Sequence, residues 1–190
     1  MKENVDAYQE PGVFIPFLGY EWSQSTSQGG HHNVLFRTPE GRVRVPRQEY
    51  TSLSRLYFGL RNLHNPLDIV VIPHAHQAGE YRQSDPTLEH LIEIMSGHGT
   101  FEWFGRKYLE HGHRVGFIAA SDDHLGHPGY SAPRGGSIAQ RGGLGALFAT
   151  EKTTDALFDA MKSSHAYATT GDRIILTTDV NGARMGTSTD

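Results

Sequence analysis

Val115-Gly116-Phe117-Ile118-Ala119-Ala120-Ser121-Asp122-Asp123-His124 is the stretch on which the reading of this chain turns. An apolar run of strand length passes directly into carboxylates and an imidazole. Val115 to Ala120 is predicted to be a buried strand. Asp122 and His124 are two positions apart, so in extended chain they point the same way. Together they offer a carboxylate oxygen and an imidazole nitrogen to a divalent cation. Asp123 points away in that reading and orients a histidine from behind. The competing reading is a polar loop with aspartate turn chemistry.

The pattern repeats upstream. Val13 to Tyr20 reads as a strand ending at Glu21, where a carboxylate between Tyr20 and Trp22 needs a cation or a basic partner. Asp68 to Ile72 reads as a buried strand closed by Pro73, and His74-Ala75-His76 follows it. His74, nearer the strand end, is the ligand candidate. His76 is read as a second ligand, a substrate contact, a proton-transfer group or a loop residue. Gly29-Gly30-His31-His32 enters a short strand, Val34 to Phe36. Neighbours on a strand face opposite sides, so one imidazole faces the site. The reading takes His32 as the ligand and leaves His31 as a packed residue or a substrate contact. In Glu93-Ile94-Met95-Ser96-Gly97-His98-Gly99, His98 is a candidate general acid or base, since an imidazole titrates near pH ~6.5. Arg134, followed by two glycines, is a candidate receiver of an anionic substrate, and Arg141 shares that setting. His64, His90, His111, His113, His127 and His165 lack comparable surroundings.

Composition agrees with metal chemistry that uses no thiolate. The 190 residues include 12 histidines and no cysteine, which excludes disulfides and cysteine nucleophiles. A net charge of -4 without a basic run argues against a nucleic-acid partner. No apolar stretch approaches the ~20 residues of a membrane span. Met1 to Glu10 is polar, so the chain is expected to be cytoplasmic unless a targeting segment lies outside it. No Walker loop and no Gly-x-Ser-x-Gly elbow occur.

Between the strands, Leu53 to Leu63 after Thr51-Ser52, Phe101 to Glu110 and Thr154 to Ser163 have helical spacing. Leu91 to Met95 reads as either strand or helix end. Residues 125–143 read as a long loop, Leu144 to Ala149 as a strand, and Arg173 to Val180 as a terminal strand. Alternating strands and helices predict an α/β fold with a mostly parallel sheet. Ligands would gather at the carboxyl ends of its strands.

At these residues the chain resembles the PHP (polymerase and histidinol phosphatase) superfamily, within a branch of larger bacterial proteins. The matching stretches are Phe17 to Trp22, Gly30 to Val34, Ile72-Pro73-His74, Glu93 to Gly99, Gly112 to His124 and Tyr167 to Gly171. The resemblance implies a distorted (β/α)7 TIM-like barrel holding two or three divalent ions, zinc, manganese or iron. It implies hydrolysis of a phosphoester, or of another ester or amide. By position, Glu21 resembles the bridging glutamate and His32 the histidine after it. His74 resembles the histidine of the Ser-His-Pro-type motif, and Asp122 with His124 the closing aspartate–histidine pair.

The family's opening His-x-His and Asp-His motifs are absent from this sequence. The expectation is therefore an incomplete barrel over residues 1–172, with 173–190 a terminal strand leading into a further β-rich region. The expected function is that of a metal-dependent phosphoesterase acting on a small anionic phosphoester through metal-activated water. The alternative is a non-catalytic metal-binding or interaction module.

Overall fold

The computed structural model describes residues 1–74, 79–127 and 141–188. A short helix, α1 (Lys2–Tyr8), opens the chain where the sequence predicts no element, and it buries only Val5. Strands β1 (Leu18–Ser23) and β2 (His31–Phe36) then form an antiparallel hairpin pairing Glu21 with Asn33 and Ser23 with His31. Gly29 and Gly30 close its turn with φ of 132° and 75°, which favour glycine.

Helix α2 (Leu53–Leu63) follows, and the Ser52 side chain accepts the Arg55 N–H at its start. Its Leu53, Leu56, Tyr57 and Leu60 recur at helical spacing. They bury against Trp22, Val34, Phe36, Ile69 and Val71 of the first sheet. That sheet is completed by β3 (Ile69–Pro73), antiparallel to β2, with His32 opposite Pro73.

A second sheet holds β4 (Leu91–Ser96), β5 (Gly99–Thr100) and β6 (Gly116–Ala119). Helix α3 (Glu102–Glu110) makes the crossover between β4 and β6, which pair in parallel. Phe104 and Tyr108 of α3 pack on Ile92. Strands β7 (Leu144–Leu147) and β8 (Ala166–Thr169) pair antiparallel, with α4 (Thr154–Lys162) between them in sequence. Two short strands, β9 (Asp179–Val180) and β10 (Ala183–Arg184), form a last hairpin.

This arrangement corrects the expected fold class. Among the described residues the strands lie in four separate sheets that do not close into a TIM-like barrel, and β4–β6 is their one parallel pair. The connections explain the difference. A parallel neighbour needs a crossover of about a dozen residues or more, whereas β1–β2 and β4–β5 are joined by short turns. Helix α2 separates β2 and β3 as a crossover helix would, yet those strands run antiparallel. Alternation of strand and helix therefore does not specify direction. Within Arg173 to Val180, only Asp179 and Val180 are in a strand; Ile175 is 89% exposed.

The pleat of the first sheet divides its adjacent histidines between two faces. His32, Val34 and Phe36 face α2 and are buried. His31, Asn33 and Leu35 face the other way and are half-buried. On that side Leu35 joins Val70, Ile72, Leu91, Phe158 and Met161 in a second core.

Candidate metal site

Strand ends bring the polar groups together. His74 leaves β3 with its N–H bonded to His31 O at 2.9 Å, so the ladder continues to the residue that matters. Glu93 sits mid-strand in β4, where the register against β6 shifts between Glu93 and Met95. Asp122, just past β6, adopts a φ of 49°, a left-handed conformation that aspartate tolerates better than most residues. His98 occupies the β4–β5 turn. That turn is fixed to the end of β6 by the bond from Gly97 N–H to Ser121 O, at 3.1 Å.

Asp122 is the shared group. Its Oδ2 lies 3.3 Å from His74 Nε2 and 2.9 Å from His98 Nε2. His74 Nδ1 is 2.8 Å from Glu93 Oε1. Ligand atoms of His74, His98 and Asp122 all lie within 4.8 Å of one another. The ring of His31 stacks 6.1 Å from that of His74, and His31 Nδ1 donates to Glu21 Oε1 at 2.7 Å. His124 lies 5.6 Å from His98, ring to ring, and its Nδ1 donates to Asp122 O at 2.8 Å. An arc thus runs from Glu21 and His31 through His74, Glu93, Asp122 and His98 to His124. A cleft of about 500 Å³ lies along it, with Phe17, Leu35, Ile72, Ile118 and Met161 on its apolar side. A larger cavity, of about 670 Å³, lies elsewhere, near His165 and Arg184, and contains none of the arc.

Charge in the arc is strongly coupled. Burial alone would lower the pKa of His74, but Asp122 and Glu93 beside it prevail and raise it to about 10. Burial pushes the Glu93 carboxyl up. The hydrogen bond from His31 holds Glu21 down at about 2, against a smaller opposing effect of burial.

The donor set fits a divalent cation. Glu93 Oε1 and Asp122 Oδ2 are buried, and among the described residues neither accepts a hydrogen bond. Their imidazole neighbours stand at ion-pair distance without hydrogen-bond direction. Buried carboxylate oxygens in that condition are costly unless a cation takes them up. Spacings of 2.9 and 3.3 Å between ligand atoms suit bonds of about 2.0–2.2 Å to one centre. Imidazole and carboxylate without thiolate suit zinc, manganese or iron.

The sequence candidates fall into three groups. Glu21, His31, His74, His98, Asp122 and His124 come together. His32 does not join them: it faces α2, 1% exposed, with Nε2 3.3 Å from Glu89 Oε1. Tyr57 and Ser84 donate to that same Glu89. His76 and Arg134 lie outside the described residues. Asp123 accepts the His127 N–H at 2.7 Å in a turn. Sequence reasoning groups Glu93 with His98 but gives it no role beside His74. A signal for it exists, a lone carboxylate inside the apolar run Leu91 to Met95.

The family described as "Protein of unknown function (DUF3604)" matches residues 1–80 and 130–179. The chain belongs to this family. An uncharacterized protein of Chlamydia pneumoniae is 24% identical to this DUF3604 chain over 211 residues, covering 98% of the chain. The DUF3604 chain spans about a third of that relative's length, 33%. A solved structure from Bacteroides vulgatus is similar in fold, with a TM-score of 0.50 at 13% identity. The likeness covers 80% of this chain and 44% of the other. That protein is a two-domain protein containing a predicted PHP-like metal-dependent phosphoesterase. Among the described residues, no helix of the DUF3604 chain is long and apolar enough to cross a membrane.

Proposed function

We propose that this chain carries the metal site of a metal-dependent hydrolase, and that the hydrolase is a phosphoesterase. The observation that carries the reading is the convergence of His74, His98 and Asp122 on one point, with a buried Asp122 oxygen left to take up a cation. The likeness in fold to a protein with a PHP-like phosphoesterase supports the choice of reaction class.

His74, His98 and Asp122 would hold the ion, and Glu21 with His31 would flank it as a further ligand pair. A divalent cation there would lower the pKa of water and polarise the bond to be cut. Glu93 Oε1, 2.8 Å from His74 Nδ1, would hold that ring from behind by ion pairing. His124 donates through Nδ1 to the Asp122 carbonyl, which leaves Nε2 as its proton-exchanging atom. That atom belongs to an exposed ring beside His98, where a leaving group could be protonated. The roles read from sequence for His98 and His124 are thereby exchanged.

Metal analysis tests the reading directly. Wild-type protein should retain zinc, manganese or iron after dialysis, and His74→Ala, His98→Ala and Asp122→Ala should each lose it. Hydrolysis of p-nitrophenyl phosphate in preference to p-nitrophenyl acetate should depend on that ion. Folded triad variants with undiminished metal content would refute the assignment.

A further inference from the structure

The cleft has two layers, and the same strands build both. Alternation along a strand puts every second side chain on one face. Phe17, just ahead of β1, therefore shares a face with Glu21. Leu35 shares one with His31 on β2, and Ile72 with His74 at the end of β3. Ile118 of β6 stands opposite Glu93 of β4 and lines the cleft with Asp122. Each apolar residue lies two or four positions from its polar counterpart, so at ~3.3 Å per residue the apolar layer sits roughly 7–13 Å from the arc. Met161 of α4 completes this floor with a flexible thioether.

The floor is a surface and not a sealed core. Phe17, Leu35 and Ile118 pack against buried Val70, Ile72, Leu91 and Phe158, yet each is only half-buried. Leu35 leans across the hairpin: a Cβ at Gly19, its partner on β1, would lie 2.6 Å from Leu35 Cδ2. That side chain is laid along the sheet. A cavity of about 500 Å³ is large enough for a small organic ligand.

Charge favours the same kind of occupant. Glu21, Glu93, Asp122 and Asp123 line the cleft, and among its described lining residues none is lysine or arginine. A cation held by His74, His98 and Asp122 offsets charge at one end. An anionic arm on the substrate would face carboxylates along the rest. An uncharged apolar arm meets no such repulsion and gains by covering the floor.

We infer that the cleft takes a phosphoester of an apolar alcohol, its phosphoryl head at the arc and its alkyl or aryl arm on the floor. The inference rests on the hydrolase reading above and names the substrate class. Hydrolysis of such an ester forms a bond from the water oxygen to phosphorus and breaks the bond from phosphorus to the ester oxygen. One water proton goes to the departing alkoxide, and the other stays with the phosphate product.

The test is calorimetric titration of the manganese-loaded chain with methylphosphonate, hexylphosphonate and 6-phosphonohexanoate, whose arm ends in a carboxylate. Wild type is compared with Leu35→Phe, which fills the floor, and Phe17→Ser, which makes it polar. Manganese content and thermal unfolding are measured on each. Wild type should bind hexylphosphonate about tenfold or more tighter than methylphosphonate, since burial of two of the extra methylenes suffices for that. The carboxylate-ended arm should bring no gain over methylphosphonate. Each folded variant should lose most of the hexyl preference. The readout is a ratio of affinities, so a general weakening does not imitate the effect. A wild type that holds manganese and shows no hexyl preference overturns the inference and leaves the metal site standing. So does tighter binding of the carboxylate-ended arm than of hexylphosphonate, or a hexyl preference that survives in the folded variants. A wild type that holds no manganese overturns the hydrolase reading, and this inference with it.

Discussion

Asp122→Asn removes one charge from the point where two imidazoles meet and alters almost no volume. In the wild type, Oδ2 of this residue lies 3.3 Å from His74 Nε2 and 2.9 Å from His98 Nε2, so it is the group both imidazoles share. A cation present at about a hundred times its Kd stabilises a folded protein by about 2.7 kcal/mol. For a chain of this length, 1 kcal/mol corresponds to roughly 2–4 °C in Tm, so the wild type should gain about 5–11 °C. If the amide weakens binding by about a hundredfold, the same cation concentration equals the variant's Kd. The gain then shrinks to RT ln 2, about 0.4 kcal/mol, or roughly 1–2 °C. Differential scanning fluorimetry with zinc or manganese, against a chelator baseline, reads both shifts. Equal cation-induced shifts in wild type and variant would show that the ion binds elsewhere, and the arc would lose its chemical meaning.

Three further outcomes are expected from the same geometry. At pH 8 the His74 ring holds its proton, because its pKa is raised to about 10. Cation binding must expel that proton, so calorimetry in buffers of different ionisation enthalpy should find net proton release and affinity rising with pH. Proton-neutral binding at pH 8 would contradict this. His31→Ala and His32→Ala should separate cleanly. The first should weaken metal retention and spare the fold. The second should cost about 3 kcal/mol in urea denaturation, by breaking the buried contact with Glu89, while folded protein keeps its metal. Leu56→Ala, at a fully buried position under the first sheet, should cost about 2–5 kcal/mol with metal stoichiometry unchanged. A mild Leu56 variant would mean that α2 packs more loosely than described.

The elements themselves are legible in the sequence because local periodicity suffices to define them. Helix α2 follows from the spacing of Leu53, Leu56 and Leu60, and strand β3 from its β-branched run. The gathering of Glu21, His74 and Asp122 is legible too, since each follows an apolar run in the sequence, although Glu21 lies inside β1 rather than at its end. Strand direction is not, because direction depends on how each connection returns rather than on any residue in the strand. The choice between His31 and His32 fails for a related reason. Alternation says that the two face opposite sides, but only the packing of Trp22, Val34 and Phe36 under α2 decides which side is core. Arg173 to Val180 has strand composition, yet its partner, if it takes one, is not encoded in its own residues.

That adjacent pair of histidines ties the candidate site to strand alignment. A slide of β2 by one position would bury the imidazole that serves Glu21 and expose the one that contacts Glu89. Burial of Val34 and Phe36 on one face would be forfeited in the same movement. Packing of the hydrophobic side of this strand therefore also fixes which imidazole reaches the candidate site on its reverse.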